Sequence, residues 1–558
     1  MLEMKVLTAS EMQACDRATT ERFGIPSIHL MRAASAAVAG FVRQHFSSAR
    51  RITVLCGRGN NGGDGMMAAR LLAASGLDVT TLLLGAPSGL TGDAAKAWQE
   101  LTSPAHGVIH VVTTAEELGA YPAALDSDLI VDAVLGTGFK PPLKGLALAV
   151  QKWLRGSAAQ VLAVDLPSGW AADDTAALPS GPVFAADAVV TFSAPKPAHV
   201  FGQLTRRWNQ PVVVAPIGSP EGAVVSDSRI CWAGSAMAVA QAPRAANSNK
   251  GNFGHVLVVG GTLGSAGGKA GAPAMAALAA LRAGAGLVTA AVPAPALALV
   301  AQAALELMTW PLAATPDGHI SAENLAPETL AAFTDGKTVL AVGPGLGQCA
   351  ETVKFAAGLL SATRMPAVVD ADALNILAAK PVLLAKLAKG RTLVLTPHPG
   401  EMARLAGLTT AEVQANRLEV AREFVRQTGV TLVLKGARTL VAHPDGRIAV
   451  NTTGNPGMAK GGSGDLLTGL IAGLLAQHAG DPARAVEAAV YLHGLAADFA
   501  VRAADEHTLL ATDSLAQLPQ AFRFTALPFR SGGENRYVWL QGLPGELSPG
   551  TASREATA

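Results

Sequence analysis

The sequence predicts an α/β protein of two domains, each built on a largely parallel sheet, and three observations predict it. Short, unbroken apolar runs alternate with helical stretches along most of the chain. Strands of that kind, separated by helices, belong to βαβ units whose sheet is covered on both faces. Two glycine-rich loops, Gly57–Gly65 and Asn455–Asp465, each follow an apolar run and open onto a helix. Finally, 558 residues exceed what a single core organises.

Residues 10 to 50 read as helical, with Ser10 as the N-cap and Glu11 in the first turn. The runs Ile52–Leu55, Val79–Leu84, Val108–Val112, Leu129–Val134, Val161–Val164 and Ala188–Phe192 then supply a first set of strands. The pattern runs down near Pro211–Pro216. Residues 1–217 therefore form the first domain. Residues 218–245, rich in Gly, Ser, Pro and Ala without periodicity, form a linker. A second array opens with His255–Val259 and continues through Val288–Val292, Val339–Val342, Ala367–Val369, Thr392–Leu395 and Thr431–Leu434. Leu440–Ala442 and Ile448–Val450 pair across Pro444-Asp445-Gly446 as a hairpin. Helices between Ala483 and Arg502 and around Ser514–Phe522 complete a domain over residues 246–522. The Gly-, Pro-, Ser- and Glu-rich residues 523–558 are expected to be a loosely ordered tail. No internal repeat is visible, so the halves are expected to be different folds.

Composition narrows the function. The 43 basic and 42 acidic residues nearly cancel, which gives no electrostatic footprint for nucleic acid or an acidic membrane surface. The stretch Leu287–Leu305 contains Pro293, Pro295 and Gln302 and reads as a buried strand and helix, not a membrane span. Four scattered cysteines without a C-x-x-C pair disfavour a disulfide framework or structural zinc and point to the cytoplasm. The N-terminus lacks the basic start and apolar block of a signal peptide.

In the first half, the loop Gly57-Arg58-Gly59-Asn60-Asn61-Gly62-Gly63-Asp64-Gly65 can deliver backbone N–H groups to an anion at a helix N-terminus. Asp132 with Gly136-Thr137-Gly138, and Asp165-Leu166-Pro167-Ser168-Gly169, follow two further strands. In a doubly wound sheet such loops converge on one crevice. Asp165 there can shuttle a proton or simply cap the next turn. Asn61, Asp132 and Ser168 offer hard oxygen donors suited to an alkali or alkaline-earth cation. N-N-G-G-D-G, V-D-A-x-x-G-T-G and D-x-P-S-G in this order resemble the NAD(P)H-hydrate epimerase family over residues 1–217. The resemblance implies a Rossmann-like sheet in which Asn60, Asn61, Gly62, Gly63 and Asp64 contact the substrate phosphates. It implies further substrate contacts at Gly136, Thr137, Gly138, Phe139, Lys140, Pro141, Pro142 and the catalytic Asp165. Asn61, Asp132 and Ser168 match a K⁺ site. Arg58 stands where the family usually has proline, which alters the rim of the loop without removing its donors.

In the second half, Gly461-Gly462-Ser463-Gly464-Asp465 brings backbone amides and a helix dipole to a phosphoryl group. Asp465 can take a proton from an attacking hydroxyl or merely complement the helix dipole. G-P-G-L-G at Gly343–Gly347, D-A-D-A-L at Asp370–Leu374, T-P-H-P-G-E at Thr396–Glu401 and L-K-G-A at Leu434–Ala437 each end a strand. Together with N-P-G-M-A-x-G-G-x-G-D they resemble the ADP- or ATP-dependent NAD(P)H-hydrate dehydratases, a branch of the ribokinase-like fold, over about residues 246–520. That implies an α/β/α domain with hydrate contacts at Ala272, Gly347, His398 and the catalytic Asp465. Nucleotide contacts are implied at Lys435, Gly436, Ala437, Arg438, Thr439 and Gly464. Ser463 stands where methionine is frequent.

Both resemblances lead to repair of nicotinamide cofactors hydrated at C6, NADHX and NADPHX. The first domain would interconvert the R and S epimers. The second would dehydrate the S form with ADP and Mg²⁺, releasing AMP and phosphate; a homo-oligomer is expected. Two rivals are a ribokinase-type kinase that releases its phosphorylated product and a non-enzymatic binding role for the first half. The T-P-H-P-G-E segment and the long second loop disfavour the former. Asn61, Asp132, Asp165 and Ser168 disfavour the latter.

Overall fold

The structure is a computed structural model that describes residues 3–104, 106–265, 267–524 and 537–544. The described residues divide into two compact units, Met4–Ser228 with the returning C-terminal strand, and Glu3 with Arg229–Phe524.

In the N-terminal unit the expected strands form: β1 (Arg51–Cys56), β2 (Asp78–Leu84), β3 (Val108–Val112), β4 (Leu129–Ala133), β5 (Gln160–Val164) and β6 (Ala188–Phe192), joined by β7 (Val212–Ala215). All pair in parallel. β1 lies between β2 and β4, so strand order reverses at β1/β4 and opens a crevice at the carboxyl ends of those strands. β4 is buried throughout and β1 is buried after its first residue, which accounts for their apolar runs.

The second unit holds a ten-stranded sheet. Its strands are β8 (Ile230–Trp232), β9 (His255–Val259), β12 (Leu287–Pro293), β13 (Met308–Leu312), β14 (Val339–Val342), β15 (Ala367–Val369), β16 (Leu393–Leu395), β17 (Thr431–Leu434), β18 (Leu440–Ala442) and β19 (Ile448–Val450). A small hairpin of β10 (Leu263–Gly264) and β11 (Gly267–Gly268) stands apart. The order is β13-β12-β9-β14-β15-β16-β17-β18-β19-β8, with the β17–β18 and β18–β19 pairs antiparallel. The switch point here is β9/β14.

Three boundary expectations are corrected. The N-terminal helix Ala9–Glu21 is capped by Thr8 and not Ser10, because the Thr8 side chain accepts from Glu11 N–H while the Glu11 carboxylate accepts from Thr8 N–H at 2.8 Å. Residues 218–245, expected as a linker, contain β8 and the short helix Met237–Ala240. Trp232 is fully buried and donates its indole N–H to Thr452 Oγ1 at 2.8 Å, so this segment closes the outer edge of the second sheet. The tail expected to be loose returns as β20 (Val538–Gln541), antiparallel to β7. Tyr537 donates to the Ala37 carbonyl at 2.7 Å and meets Phe41 edge-on at 5.4 Å. Residues 525–536 and 545–558 of that expectation lie outside the described residues.

Trp539 on β20 is 1% exposed and packs beside Phe41 and His45. Replacing Trp539 with Ala is expected to destabilise the N-terminal unit by about 3–5 kcal/mol, the range for truncating a buried aromatic. Urea unfolding followed by circular dichroism measures it; an unchanged midpoint would contradict the docking of β20.

Candidate active sites

The first site is assembled at the carboxyl edge of the N-terminal sheet. After β1 the chain turns through Gly57–Gly59 into the helix Asn60–Ala74, whose N-terminal end has no side-chain cap. The first-turn N–H groups therefore remain available to an anion. Gly62 is required for close approach: a Cβ there would come within 1.9 Å of the Gly57 carbonyl oxygen. Asn60 is exposed, whereas the Asn61 side chain lies against Gly136, with its Nδ2 buried and without a partner.

Asp132, at the end of β4, is buried and accepts from Ser168 Oγ at 2.6 Å and Ser168 N at 2.8 Å. Burial pushes its carboxyl up to about 6 against the opposing effect of the Ser168 hydrogen bonds. Ser168 Oγ in turn accepts from Leu135 N at 2.9 Å, tying this loop to the one after β4.

Asp165 follows β5 with φ of +65°, a left-handed conformation that costs strain in a residue with a Cβ. One carboxylate oxygen accepts from Thr137 Oγ1 at 2.5 Å and Thr137 N at 3.2 Å. The other accepts from Thr191 Oγ1 and Lys196 Nζ, both at 2.8 Å. Lys196 and Asp165 are both buried. Burial opposes ionisation of Asp165, but the Lys196 ammonium outweighs it and holds the carboxyl well below the usual carboxylate range. His199 Nδ1 accepts from Lys196 N at 3.0 Å, so its Nε2–H donates to the Asp165 carbonyl at 2.7 Å. Burial, with Lys196, lowers the imidazole to about 4, consistent with a neutral ring. Asp64, the fifth residue of the Asn60 helix, is half-buried, and burial followed by the Asp165 charge pushes its carboxyl well up.

Of the residues after β4, Gly136 reaches Asn61 and Thr137 reaches Asp165. Phe139 packs inward against the apolar cluster containing Leu143 and Phe184. Gly138, Lys140, Pro141 and Pro142 are exposed. Sequence reasoning missed Thr191, Lys196 and His199. A signal existed, since Ala194-Pro195-Lys196 follows β6 as the other site loops follow their strands.

The second site lies at the carboxyl ends of β9 and β14–β17. The helix Ser463–Gln477 starts from Gly462 at φ +94°, again without a side-chain cap, and carries Asp465 in its first turn. Asp370, after β15, is buried. Its oxygens accept from Thr396 Oγ1 at 2.7 Å, Lys435 Nζ at 3.0 Å and Thr468 Oγ1 at 2.9 Å. A Cβ on Gly464 would stand 3.5 Å from Lys435 Nζ and 3.7 Å from an Asp370 oxygen. Burial, then the neighbouring Asp370 charge, raises Asp465 to about 6.

Ala272 and the Gly343–Gly347 loop are neighbours: a Cβ on Gly345 would lie 3.3 Å from Ala272 Cβ. Gly347 N donates to Asp372 Oδ2 at 2.9 Å. His398 caps the helix Pro399–Ala406; its Nδ1 accepts from Gly400 N at 3.1 Å, while Nε2 stands 3.5 Å from Glu401. The Lys435–Thr439 loop is strapped by Arg417, which donates to the Leu434, Lys435 and Ala437 carbonyls. Gly436 and Ala437 are exposed. Thr439 Oγ1 donates to the Gly436 carbonyl at 2.9 Å. The Arg438 guanidinium donates to the Thr452 carbonyl at 3.1 Å. Asp370, Thr468 and Arg417 had no assigned role in the sequence. Thr468 and Arg417 lie on helix faces, where no strand-end position marks them.

Comparison with known proteins bears on both edges. The family described as NAD(P)H-hydrate dehydratase matches residues 256–520, and that described as YjeF-related protein N-terminus matches residues 27–198. A bifunctional NAD(P)H-hydrate repair enzyme from Moorella thermoacetica is 42% identical, covering 93% of this chain and 97% of that protein. The chain belongs to the bifunctional NAD(P)H-hydrate repair enzyme family. A further member, from Escherichia coli, is 36% identical over 91% of this chain and 92% of its own length. A solved ADP/ATP-dependent NAD(P)H-hydrate dehydratase from Bacillus subtilis, co-crystallised with ATP and Mg²⁺, is 34% identical, covers 51% of this chain and 95% of that one, and has a TM-score of 0.43. Among the described residues no helix is long and apolar enough to cross a membrane.

Lys196→Met would leave Asp165 buried without its counter-ion. The expected cost is about 3–5 kcal/mol at neutral pH, read from denaturant unfolding. Because the pair depresses the folded-state value of Asp165, its contribution is complete above the ordinary aspartate range and is lost as pH falls below it. The gap between parent and variant should therefore narrow below about pH 4. A pH-independent gap would mean that the ion pair does not cause it.

Proposed function

We propose that the two units repair hydrated nicotinamide dinucleotides in consecutive steps, epimerisation at the Asp165 crevice and ADP-dependent dehydration at Asp465. The observation that carries this reading is Asp465 on the uncapped first turn of the Ser463 helix, beside the ion pair of buried Asp370 with half-buried Lys435. Hydroxide is a poor leaving group, and phosphorylation cures that. Asp465 accepts the proton of the C6 hydroxyl as its oxygen attacks the terminal phosphoryl group of ADP. AMP departs, the glycine loop supplies N–H donors to the phosphoryl oxygens, and Lys435 adds positive charge. Phosphate then leaves with the C6 oxygen, a proton is lost from C5, and the ring double bond returns. Mg²⁺ bound with the nucleotide would supply charge neutralisation. Asp370 already accepts from Thr396, Lys435 and Thr468, which fits it to hold Lys435 in place.

In the N-terminal unit the substrate phosphates would sit on the first turn of the Asn60 helix, with the hydrated ring toward Asp165. Its ionised carboxylate and the raised carboxyl of Asp64 form a base and an acid in one crevice. Asn61, Asp132 and Ser168 would hold K⁺. They offer oxygen and no sulfur or imidazole; the Asp132–Ser168 contact and the partnerless Asn61 amide at Gly136 suit a hard ion there. Four free cysteines accord with a cytoplasmic setting.

Asp465→Asn should reduce ADP-dependent recovery of NADPH from the S hydrate about 100-fold or more while leaving epimerisation intact. Recovery near the parent rate would refute the assignment. Since Asp465 must be ionised to accept a proton and its value is raised to about 6, dehydration should fall as pH drops through that value. A pH–rate profile under saturating ADP checks this; a flat profile from pH 7 down to about 5 would exclude Asp465 as the base.

A further inference from the structure

The carboxyl edge of the N-terminal sheet runs β2–β1–β4–β5. Asp165 marks one end of this row, after β5, and the Asn60 helix marks its middle, after β1. A dinucleotide whose nicotinamide lies at Asp165 and whose pyrophosphate lies on that helix has its adenosine ribose over the end of β2. The span from β5 to β2 is three strand spacings, about 14 Å, within reach of an extended dinucleotide. In nucleotide-binding sheets of this topology, the group at the end of the second strand selects between a free ribose 2′-hydroxyl and a 2′-phosphate: a carboxylate favours the former, an arginine the latter.

Here that place is occupied by Arg58. Its side chain leaves the phosphate loop and lies across the turn after β2, against Gly85 and Gly89. A Cβ on Gly85 would come within 2.8 Å of Arg58 Cδ, and one on Gly89 within 3.1 Å of Nη1. Two glycines thus form the platform on which the guanidinium rests. Arg58 is exposed, and among the described residues neither an ion pair nor a hydrogen bond engages its guanidinium. The turn itself, Gly85-Ala86-Pro87-Ser88-Gly89, contains no carboxylate. Asp93, the acid that follows the turn in sequence, is occupied: it accepts from Ser27 and Lys96. Glu117, after the neighbouring β3, likewise accepts from Thr113 and Thr114. The end of β2 therefore presents a free five-donor cation with no acid to satisfy a ribose 2′-hydroxyl.

We propose that Arg58 is a specificity-determining residue that gives the N-terminal site a preference for the dinucleotide hydrate carrying an additional phosphate on its adenosine ribose. The proposal rests on the reading of this crevice as the epimerase site. The phosphate is recognised by charge-assisted hydrogen bonds that the non-phosphorylated hydrate cannot form.

The test uses the full chain without ADP, so that only epimerisation proceeds, with R and S hydrates separated chromatographically. Arg58→Gln should raise KM for the phosphorylated hydrate about tenfold, with kcat unchanged and with KM for the non-phosphorylated hydrate unchanged. Arg58→Lys should recover most of the loss. Higher ionic strength should erode the preference of the parent and leave Arg58→Gln unaffected. Equal loss on both hydrates, or no loss on either, overturns the proposal. Binding of adenosine 2′,5′-bisphosphate, compared between parent and Arg58→Gln by calorimetry, separates this proposal from the activity on which it rests. If the parent does not epimerise but the variant still loses bisphosphate affinity, the epimerase reading fails and the phosphate contact stands. If the parent epimerises and bisphosphate binding is identical in both, the Arg58 proposal fails alone.

Discussion

A carboxylate removed from water must be neutralised, fully hydrogen-bonded or protonated, and both units are organised around that requirement. In the first, Asp165 is matched by Lys196 and by the hydroxyls of Thr137 and Thr191. In the second, Asp370 is matched by Lys435 and by the hydroxyls of Thr396 and Thr468. Each lysine arrives on the loop after a later strand of the same sheet. The carboxylate and its lysine meet because parallel strands all end at one edge, so the register of β5 with β6, and of β15 through β17, fixes the chemistry. A slip of one residue would turn these side chains to the opposite face.

The two pairs leave different groups free to titrate. Asp165 is itself the paired carboxylate and remains ionised across the physiological range. In the second unit the pair is a fixed background, and Asp465, next to it on the Ser463 helix, is held near 6 by burial and by the Asp370 charge. A buried ion pair contributes little net stability over an apolar replacement of similar volume. Its value here is positional: it holds the ammonium group and the surrounding loops in one arrangement at the carboxyl edge of each sheet.

Elements with long apolar runs were legible. β9 after His255 and β14 follow directly from unbroken Val, Leu and Ala stretches, and β1, β2, β4 and β6 from mostly apolar runs interrupted only by Thr or Asp. Those that closed a sheet edge were not. β8 is three residues long, and Ile230-Cys231-Trp232 has too little sequence to show a period. β20 sits in a segment rich in glycine and proline, and it is buried by remote parts of the chain, among them β7, Phe41 and His45. The same distinction holds within the sites. Asn60–Asp64 and Gly461–Asp465 are visible because the glycines and the acid are contiguous. Lys196 and Thr468 are single residues whose partners lie 31 and 98 positions away.

By itself the sequence determined the class of fold, the presence of two glycine-rich helix starts and the acids beside them, because periodicity, glycine spacing and residue chemistry are local properties. Only the tertiary structure decided which acid is locked as an ion and which can titrate, where the N-terminal unit takes back its last strand, and that the Arg58 guanidinium lies over Gly85 and Gly89. Desolvation, counter-ion distance and strand pairing depend on groups brought together from remote parts of the chain. No local pattern encodes them.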